Sequence, residues 1–272
     1  MAEREGLVVE LWYEAVPDLS DPVLLEGLRA VSPGSEARDG SLFVPYDGGE
    51  VPARTGGSTD GDGQPTPPLV SMVMPGSALG VEGKSLPDAS QTWDWPGVDE
   101  ALGRARGSLL VVEMFGGPYG ARDRVAALVG VVAALTAATS PLAVSWPTSQ
   151  RVTDPDAPAS DGLGGLVNVR LFAVSDDEDE MVMDTRGLAP FDLPDLQLHF
   201  RDLEPGRVAG LLYATASYLL DEGDVIADGN TISGLEGDEH WRCTHEDALV
   251  APARRVVDID PGDPYAAGRR AR

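Results

Sequence analysis

The chain has 272 residues, of which 42% are hydrophobic, and its formal net charge is −25. This length suits one large domain or two small ones, and the apolar fraction is ample for a buried core. The charge argues against binding nucleic acid or an anionic membrane, because both need clustered Lys and Arg.

The cellular compartment is predicted from cysteine usage and from the N-terminus. The single Cys243 excludes an intramolecular disulfide framework and suits a reducing environment. The first residues lack the apolar segment of a secretory signal. We therefore expect a cytoplasmic protein.

The first 46 residues predict a β-α-β unit. Strands are expected at 7–14 and 41–46, with a helix between them that has Pro22 in its first turn. Residues 47–68 are rich in Gly, Asp, Thr and Pro, which is typical of a flexible linker or loop. The unit at 1–46 either folds separately or joins the main sheet.

Residues 69–260 predict the main domain, and residues 261–272 a disordered tail. Hydrophobic periodicity places helices at 96–104, 121–139 and 204–222. Strands are expected at 69–74, 108–115, 142–146, 166–175, 181–185, 195–200, 224–232 and 240–246.

This order of elements predicts an α+β fold, with a mixed, largely antiparallel sheet and helices mainly on one face. The βαβ and ββαβ runs are compatible with two ferredoxin-like halves. The strands at 166–175 and 181–185 are expected to form a hairpin with an acidic tip at 176–180. In the strand at 195–200 apolar and polar residues alternate, which predicts a half-exposed strand.

A glycine-rich turn between a buried strand and the long helix is a candidate anion site. Gly116, Gly117 and Gly120 present backbone amides at a helix N-terminus, and Arg122 and Arg124 add positive charge. The turn lacks the lysine and hydroxyl of a P-loop and the spacing of a dinucleotide fingerprint. A tight structural connection is the interpretation that we favour.

Three other sets of side chains are weaker candidates for a metal-binding, ligand-binding or catalytic site. His240, Cys243 and His245 contain metal ligands and a nucleophile with a base, but their spacing matches no standard zinc pattern. Trp93, Trp95 and Trp146 either line a pocket or anchor the core. The aspartates beside the 204–222 helix could serve as acid and base, yet turn and cap roles are expected for most of Asp184, Asp192, Asp195, Asp224 and Asp228.

The chain lacks the Gly-x-Ser-x-Gly, HExxH, kinase and Walker motifs. We therefore predict no catalytic residue, no metal site and no cofactor. The acidic run at 176–180 also lacks the ligand spacing of a calcium loop.

One stretch of the chain follows a recurrent pattern, T-x-G-L, then P-D-L before a strand, then D-G-N-T-I after a helix. It resembles a bacterial family of domains of unknown function, numbered 4261. Asp192 and Asn230 depart from it, because the family tends to have Gly and Asp there. The resemblance implies a shared fold and no known activity. The pattern is carried by Thr185, Gly187, Pro194, Asp195, Asp228, Gly229 and Thr231.

Physically, this motif predicts backbone structure. Gly187 and Gly229 suit turns with unusual backbone angles, Pro194 stiffens the entry to a strand, and Thr185 and Thr231 can bond the local backbone. We therefore expect a non-enzymatic binding or protein-interaction module whose acidic surface suits a basic protein partner. The alternative is an enzyme or small-ligand binder with an anion site at 116–124.

Overall fold

The computed structural model describes residues 6–46, 68–76, 86–117, 119–157, 163–173 and 180–268. The chain forms two compact units, residues 1–165 and 166–272. This division falls inside the segment 69–260, which the sequence predicts as one domain, because the described strands on either side pair within separate sheets. Residues 47–67 of the predicted linker and 176–179 of the acidic tip lie outside the described residues.

Unit 1 contains a seven-stranded antiparallel sheet with the order β2-β3-β4-β5-β1-β6-β7. The predicted N-terminal strand β1 lies between β5 and β6, so it belongs to this sheet. The short strands β2 and β7 were not predicted. The strands are β1 (Val8–Tyr13), β2 (Glu36–Arg38), β3 (Ser41–Pro45), β4 (Val70–Pro75), β5 (Gly107–Met114), β6 (Ala143–Trp146) and β7 (Arg151–Thr153).

Three helices accompany this sheet: α1 (Pro22–Val31), α2 (Val98–Arg104) and α3 (Ala121–Thr139). Asp21 caps α1 by accepting a hydrogen bond from the backbone N of Val23 at 2.9 Å. The bounds of α3 match the prediction, and the chain leaves this helix through Ser140 in a left-handed conformation.

The helices lie on opposite faces of the unit 1 sheet. α1 and α3 pack together, and α3 contacts β4 and β5. α2 packs on the other face, where Trp12 of β1 shares a buried cluster with Val98 and Leu102. This cluster also includes Ala143 and Val152, so α2 covers the part of that face formed by β1, β6 and β7.

Unit 2 contains a six-stranded sheet with the order β11-β12-β13-β10-β9-β8 and one long helix, α4 (Pro205–Glu222). Of the described strand pairs, β10 and β13 are parallel and the others are antiparallel. The β8–β9 hairpin and α4 were predicted, whereas β13 was not. The strands are β8 (Asn168–Ala173), β9 (Met181–Arg186), β10 (Asp195–Phe200), β11 (Thr231–Ser233), β12 (His240–Asp247) and β13 (Arg255–Asp260).

The two faces of the unit 2 sheet differ in polarity. On β10, Leu196, Leu198 and Phe200 share one face, because side chains alternate along a strand. α4 packs against β8, β9 and β10 through its fully buried apolar side chains. Asp195 and Gln197 lie on the opposite face, yet they are buried as well. The prediction of a half-exposed strand at 195–200 is therefore wrong.

The chain after β13 is partly ordered, which corrects the predicted disordered tail at 261–272. Ala266 forms a β-bridge with Phe200, and the backbone N of Arg201 donates to the carbonyl of Tyr265 at 2.9 Å. Ala266 and Ala267 are buried, and their small side chains allow the backbone to approach β10. Residues 269–272 lie outside the described residues.

These observations confirm an α+β fold with two largely antiparallel sheets. No helix within the described residues has the length and the apolar composition needed to cross a lipid bilayer.

Candidate functional site

A cluster of charged side chains is buried on the polar face of the unit 2 sheet. Asp184 accepts two hydrogen bonds from the guanidinium of Arg170, at 2.9 and 2.6 Å. Arg254 donates from Nη2 to Asp184 at 2.6 Å and from Nε to Asp195 at 2.9 Å. Asp184 is fully buried in β9. Turn and cap roles were predicted for most of five aspartates, and Asp184 is not one that has such a role.

The loop before β13 covers this polar face. The backbone N of Leu249 donates to Oε1 of Gln197 at 2.7 Å, while Nε2 of Gln197 donates to Asp258 at 3.0 Å. Arg254 lies in the same loop and also donates to the carbonyl of Thr185 at 3.0 Å. The burial of the polar face within unit 2 thus depends on a segment that is distant in sequence from β9 and β10.

The electrostatics of the cluster reflect burial and the proximity of opposite charges. Burial raises the pKa of Asp195, while the ion pair with Arg254 acts in the opposite direction. For Arg254, burial alone would lower the pKa, but hydrogen bonds and ion pairs with Asp184 and Asp195 more than offset this and raise it. Burial, together with the positive charges of Arg170 and Arg254, lowers the pKa of Arg186. The cluster is therefore a set of coupled ion pairs.

Thr185 and Asp195 of the motif meet at this cluster. Oγ1 of Thr185 accepts a hydrogen bond from the backbone N of Leu196 at 2.8 Å and donates to Oδ1 of Asp195 at 3.3 Å. The same Oδ1 accepts from the backbone N of Leu188 at 3.3 Å. These bonds close the turn between β9 and β10, so both residues have a structural role here.

Backbone angles explain two further features of this turn. Gly187 has a φ of 129°, which side-chain-bearing residues rarely adopt. Asp192 has a φ of 58° and lies in the left-handed region, where glycine is unstrained and Asp is tolerated. A glycine would therefore fit this position without strain. Pro194 directly precedes β10.

The second motif segment forms a separate turn before β11. Asp228 accepts hydrogen bonds from the backbone N and from Nδ1 of His245, at 2.6 and 2.9 Å, and these bonds lower its pKa. Gly229 has a φ of 83°. Oδ1 of Asn230 accepts from the backbone N of Ala227 at 2.9 Å, a bond that an aspartate could also make. Thr231 begins β11 opposite Arg242.

The group of His240, Cys243 and His245 does not assemble a reactive centre. Cys243 is fully buried, and burial together with the charge of Asp258 raises its pKa to about 11. Its thiol is therefore protonated at neutral pH and is a poor nucleophile or metal ligand. Within the described residues, no three His, Cys, Asp or Glu side chains are arranged to hold a metal ion.

The glycine-rich turn at 116–120 encloses a buried ion pair. Arg124 donates to both oxygens of Glu113, at 2.7 and 2.6 Å, and Glu113 also accepts from the backbone N of Leu7. A Cβ on Gly116 would overlap the Glu113 carboxylate and lie 2.8 Å from Nε of Arg124. Gly116 thus permits a close approach, and the charge of Arg124 is balanced within the fold. The anion site at Gly116, Gly117, Gly120 and Arg122 stays a prediction.

Unit 1 contains a cleft of about 670 Å³ between the C-terminal half of α3 and the edge strand β7. Its walls include Val132, Val144 and Trp146, and Trp95 contributes from the segment before α2. Two of the three tryptophans considered in the sequence therefore line a pocket, whereas Trp93 is not part of it. Charged groups line the cleft as well, namely Asp94, Arg151, Asp154 and Asp156.

The unit 1 sheet also has an apolar surface that is half-exposed. Along β3 and β4, fully buried residues alternate with half-buried ones. The register places the half-buried side chains side by side on the face opposite α3. We call this surface the open face. It consists of Val8, Phe43, Val70, Met72, Met74, Val112 and Met114.

A comparison with known families finds a match over the segment that contains the two motif turns and most of the charged cluster. Residues 184–260 match the model of the domain of unknown function DUF4261. We call residues 184–260 the DUF4261 segment, after the family that they are similar to. Asp184, Thr185, Asp195 and Arg254 lie inside the DUF4261 segment, while Arg170 precedes it. No curated protein and no solved structure matches the chain.

The structure therefore brings together Thr185 and Asp195 but leaves Asp228 and Gly229 in a different turn. Sequence reasoning missed both arginines of the cluster. A signal for Arg170 was present, because a charged residue in the middle of an apolar strand often has a buried partner. Arg254 carried no such signal, since it lies in a loop and contacts residues about seventy positions away.

Proposed function

We propose that this chain is a non-enzymatic protein-interaction module that binds a basic protein partner. The observation that supports the proposal is the open face of the unit 1 sheet. The solvated face of an antiparallel sheet is normally polar. Here it carries a contiguous row of Val, Phe and Met side chains that are neither fully buried nor replaced by polar residues. A contiguous patch of apolar side chains that stay partly accessible is typical of interaction sites.

The composition of the open face suits a protein ligand. Met72, Met74 and Met114 belong to it, and methionine side chains adapt their shape to a partner surface. At one end of the face, Glu10 is buried and accepts a hydrogen bond from Ser108 at 2.6 Å. The net charge of −25 favours a partner with positive charge around an apolar centre, because opposite charges accelerate association and exclude acidic competitors.

The state of the reactive groups supports binding over catalysis. Asp184 and Asp195 are held by Arg254, so their oxygens are engaged within the fold. Cys243 is buried with a raised pKa. A role in binding needs none of these groups to react.

The experiment compares capture of proteins from native cell extract by the full chain and by two variants. Met72→Gln together with Met114→Gln introduces amides on the open face at similar side-chain volume. Met181→Gln is the matched control, because Met181 is also half-buried but begins β9 in unit 2. We expect a basic protein to be retained by the full chain and the control, and lost by the double variant.

Salt provides a second criterion. Raising the ionic strength screens charge pairs at the surface, so retention of the partner should weaken markedly between low and high salt. Equal retention by the double variant, or retention that is independent of salt, would contradict the proposal. Self-association of the chain through the open face would also contradict it, because two copies carry the same negative charge.

A further inference from the structure

The geometry of the cleft in unit 1 points to a second binding site, for an organic cation with an apolar body. The cleft volume of about 670 Å³ falls within the range of roughly 300–1,000 Å³ that is common for small-molecule sites. This inference does not depend on the open face, which is formed by other residues.

The walls of the cleft are apolar and already in place. α3 is apolar around most of its circumference, and such helices are normally buried on all sides. Toward the cleft, however, α3 exposes Ala133 and Ala137, next to the buried Val132. This side of the helix thus provides an apolar wall that remains accessible.

Trp146 forms a fixed wall of the cleft. Its Nε1 donates a hydrogen bond to Oγ1 of Thr153 at 3.1 Å, which sets the orientation of the indole. The backbone at Gly164 packs against the ring, because a Cβ at this position would lie 3.1 Å from the Trp146 side chain. Val144 lies two residues before Trp146 on the same face of β6 and also lines the cleft. A ligand would therefore meet a surface that needs little rearrangement.

The charges around the cleft favour a ligand that carries a positive charge. Among the described residues, Asp94, Asp154 and Asp156 line it together with one cation, Arg151, which pairs with Asp94 at 2.8 Å. Three carboxylates and one guanidinium leave an excess of negative charge. Oδ1 of Asp154 accepts from the backbone N of Asp156 at 2.9 Å, so the two acidic residues are held near each other. A cation is attracted to such a site and an anion is repelled.

The test uses three probes with one carbon skeleton: phenylpropylamine, phenylpropanol and phenylpropionate. Binding to the full chain is measured by ligand-observed NMR and by calorimetric titration. We expect saturable binding of the amine, binding of the alcohol that is weaker by about threefold to tenfold, and no binding of the carboxylate.

Two sets of variants locate the site. Asp154→Asn combined with Asp156→Asn should lower the affinity for the amine by roughly threefold to tenfold and leave the affinity for the alcohol unchanged, because only the charge is removed. Glu26→Gln combined with Glu100→Gln is the matched control, since it changes the net charge equally at exposed residues outside the cleft. This control should leave both affinities unchanged.

Ala133→Trp should abolish binding of the amine and the alcohol by filling the cleft. Ala133 is exposed on α3, so the larger side chain needs no space in the core. An unchanged melting temperature would show that this variant is folded. Equal affinity for the three probes, no saturable binding of the amine, or full binding by a folded Ala133→Trp variant would overturn the inference.

Discussion

The sheets of the two units distribute polar and apolar side chains in opposite ways. In unit 1, the open face leaves apolar residues such as Phe43 and Met72 half-exposed. In unit 2, the polar face buries charged residues, among them Arg170, Asp184 and Asp195. Each sheet departs from the common arrangement in which a polar face meets water and an apolar face meets the core.

The difference indicates where to look for function. Burying a charge is costly unless partners hold it, and the unit 2 cluster provides such partners through Arg170 and Arg254. Its charged groups therefore face one another instead of a ligand. The apolar groups of the open face in unit 1 are only half-buried within the described residues, which is why we propose that face as the interaction surface. We infer that the charged residues of the DUF4261 segment stabilise its fold, and that binding belongs to unit 1.

The largest effect on stability is expected when the carboxylate that Arg170 and Arg254 share in unit 2 is removed. Asp184→Ala leaves the buried guanidinium groups of Arg170 and Arg254 with one acceptor group fewer. We expect the free energy of unfolding to fall by about 3–5 kcal/mol. Urea denaturation of the variant measures this loss. The exposed Asp238→Ala serves as control, with an expected change within about 0.5 kcal/mol. Equal denaturation midpoints would contradict the structural role of Asp184.

Substitutions at two neighbouring valines in β5 compare the two faces of the unit 1 sheet. Val111 is fully buried on the face that α3 covers, whereas its neighbour Val112 belongs to the half-exposed open face. Val111→Ala should cost about 2–3 kcal/mol of stability, and Val112→Ala about 1 kcal/mol or less. Chemical denaturation provides both values. If the two losses were equal, the open face would be covered in the isolated chain and the proposed interaction surface would not exist.

A smaller effect is expected at the glycine-rich turn. Gly116→Ala pushes a methyl group against the Glu113–Arg124 ion pair, and we expect a loss of about 1–3 kcal/mol. Gly117→Ala meets no atom within 4 Å and is the matched control. Thermal unfolding of both variants distinguishes a steric requirement at Gly116 from a general need for glycine in this turn. Similar melting temperatures for the two variants would contradict the steric explanation.

The smallest effect concerns pH. Hydrogen bonds from His245 lower the pKa of Asp228 in the folded protein, so ionised Asp228 favours folding at a pH above its unfolded pKa of about 3.9. This contribution disappears as the pH falls through the lower pKa of the folded state. We expect Asp228→Asn to be less stable than the parent chain at neutral pH, and the difference to vanish in strong acid. Melting curves across this range test it; a difference that grows on acidification has the wrong sign.

Local patterns were sufficient to predict several elements of the fold. The bounds of α3 follow from a long apolar run that begins after Gly120 and ends before Pro141. The β8–β9 hairpin follows from alternation on both sides of an acidic stretch. β13 was missed, because Asp258 and Asp260 interrupt its apolar pattern and its parallel partner β10 lies some sixty residues earlier.

The charged cluster could not be predicted for a related reason. Apart from Arg170, the polar residues of these strands resemble those of an exposed face, and the distant loop that carries Arg254 is what buries them. The turns were easier to predict, because glycine often marks a turn that needs a positive φ, and Gly187 and Gly229 both have one.

The claim that the charged residues of the DUF4261 segment hold its fold together is tested most directly by a double-mutant cycle on Asp195 and Arg254. Asp195→Asn, Arg254→Met and the combined variant are compared with the parent chain by urea denaturation. If the ion pair stabilises the fold, the two losses are non-additive, with a coupling free energy of about 1–3 kcal/mol. Losses that add within about 0.5 kcal/mol would contradict the claim.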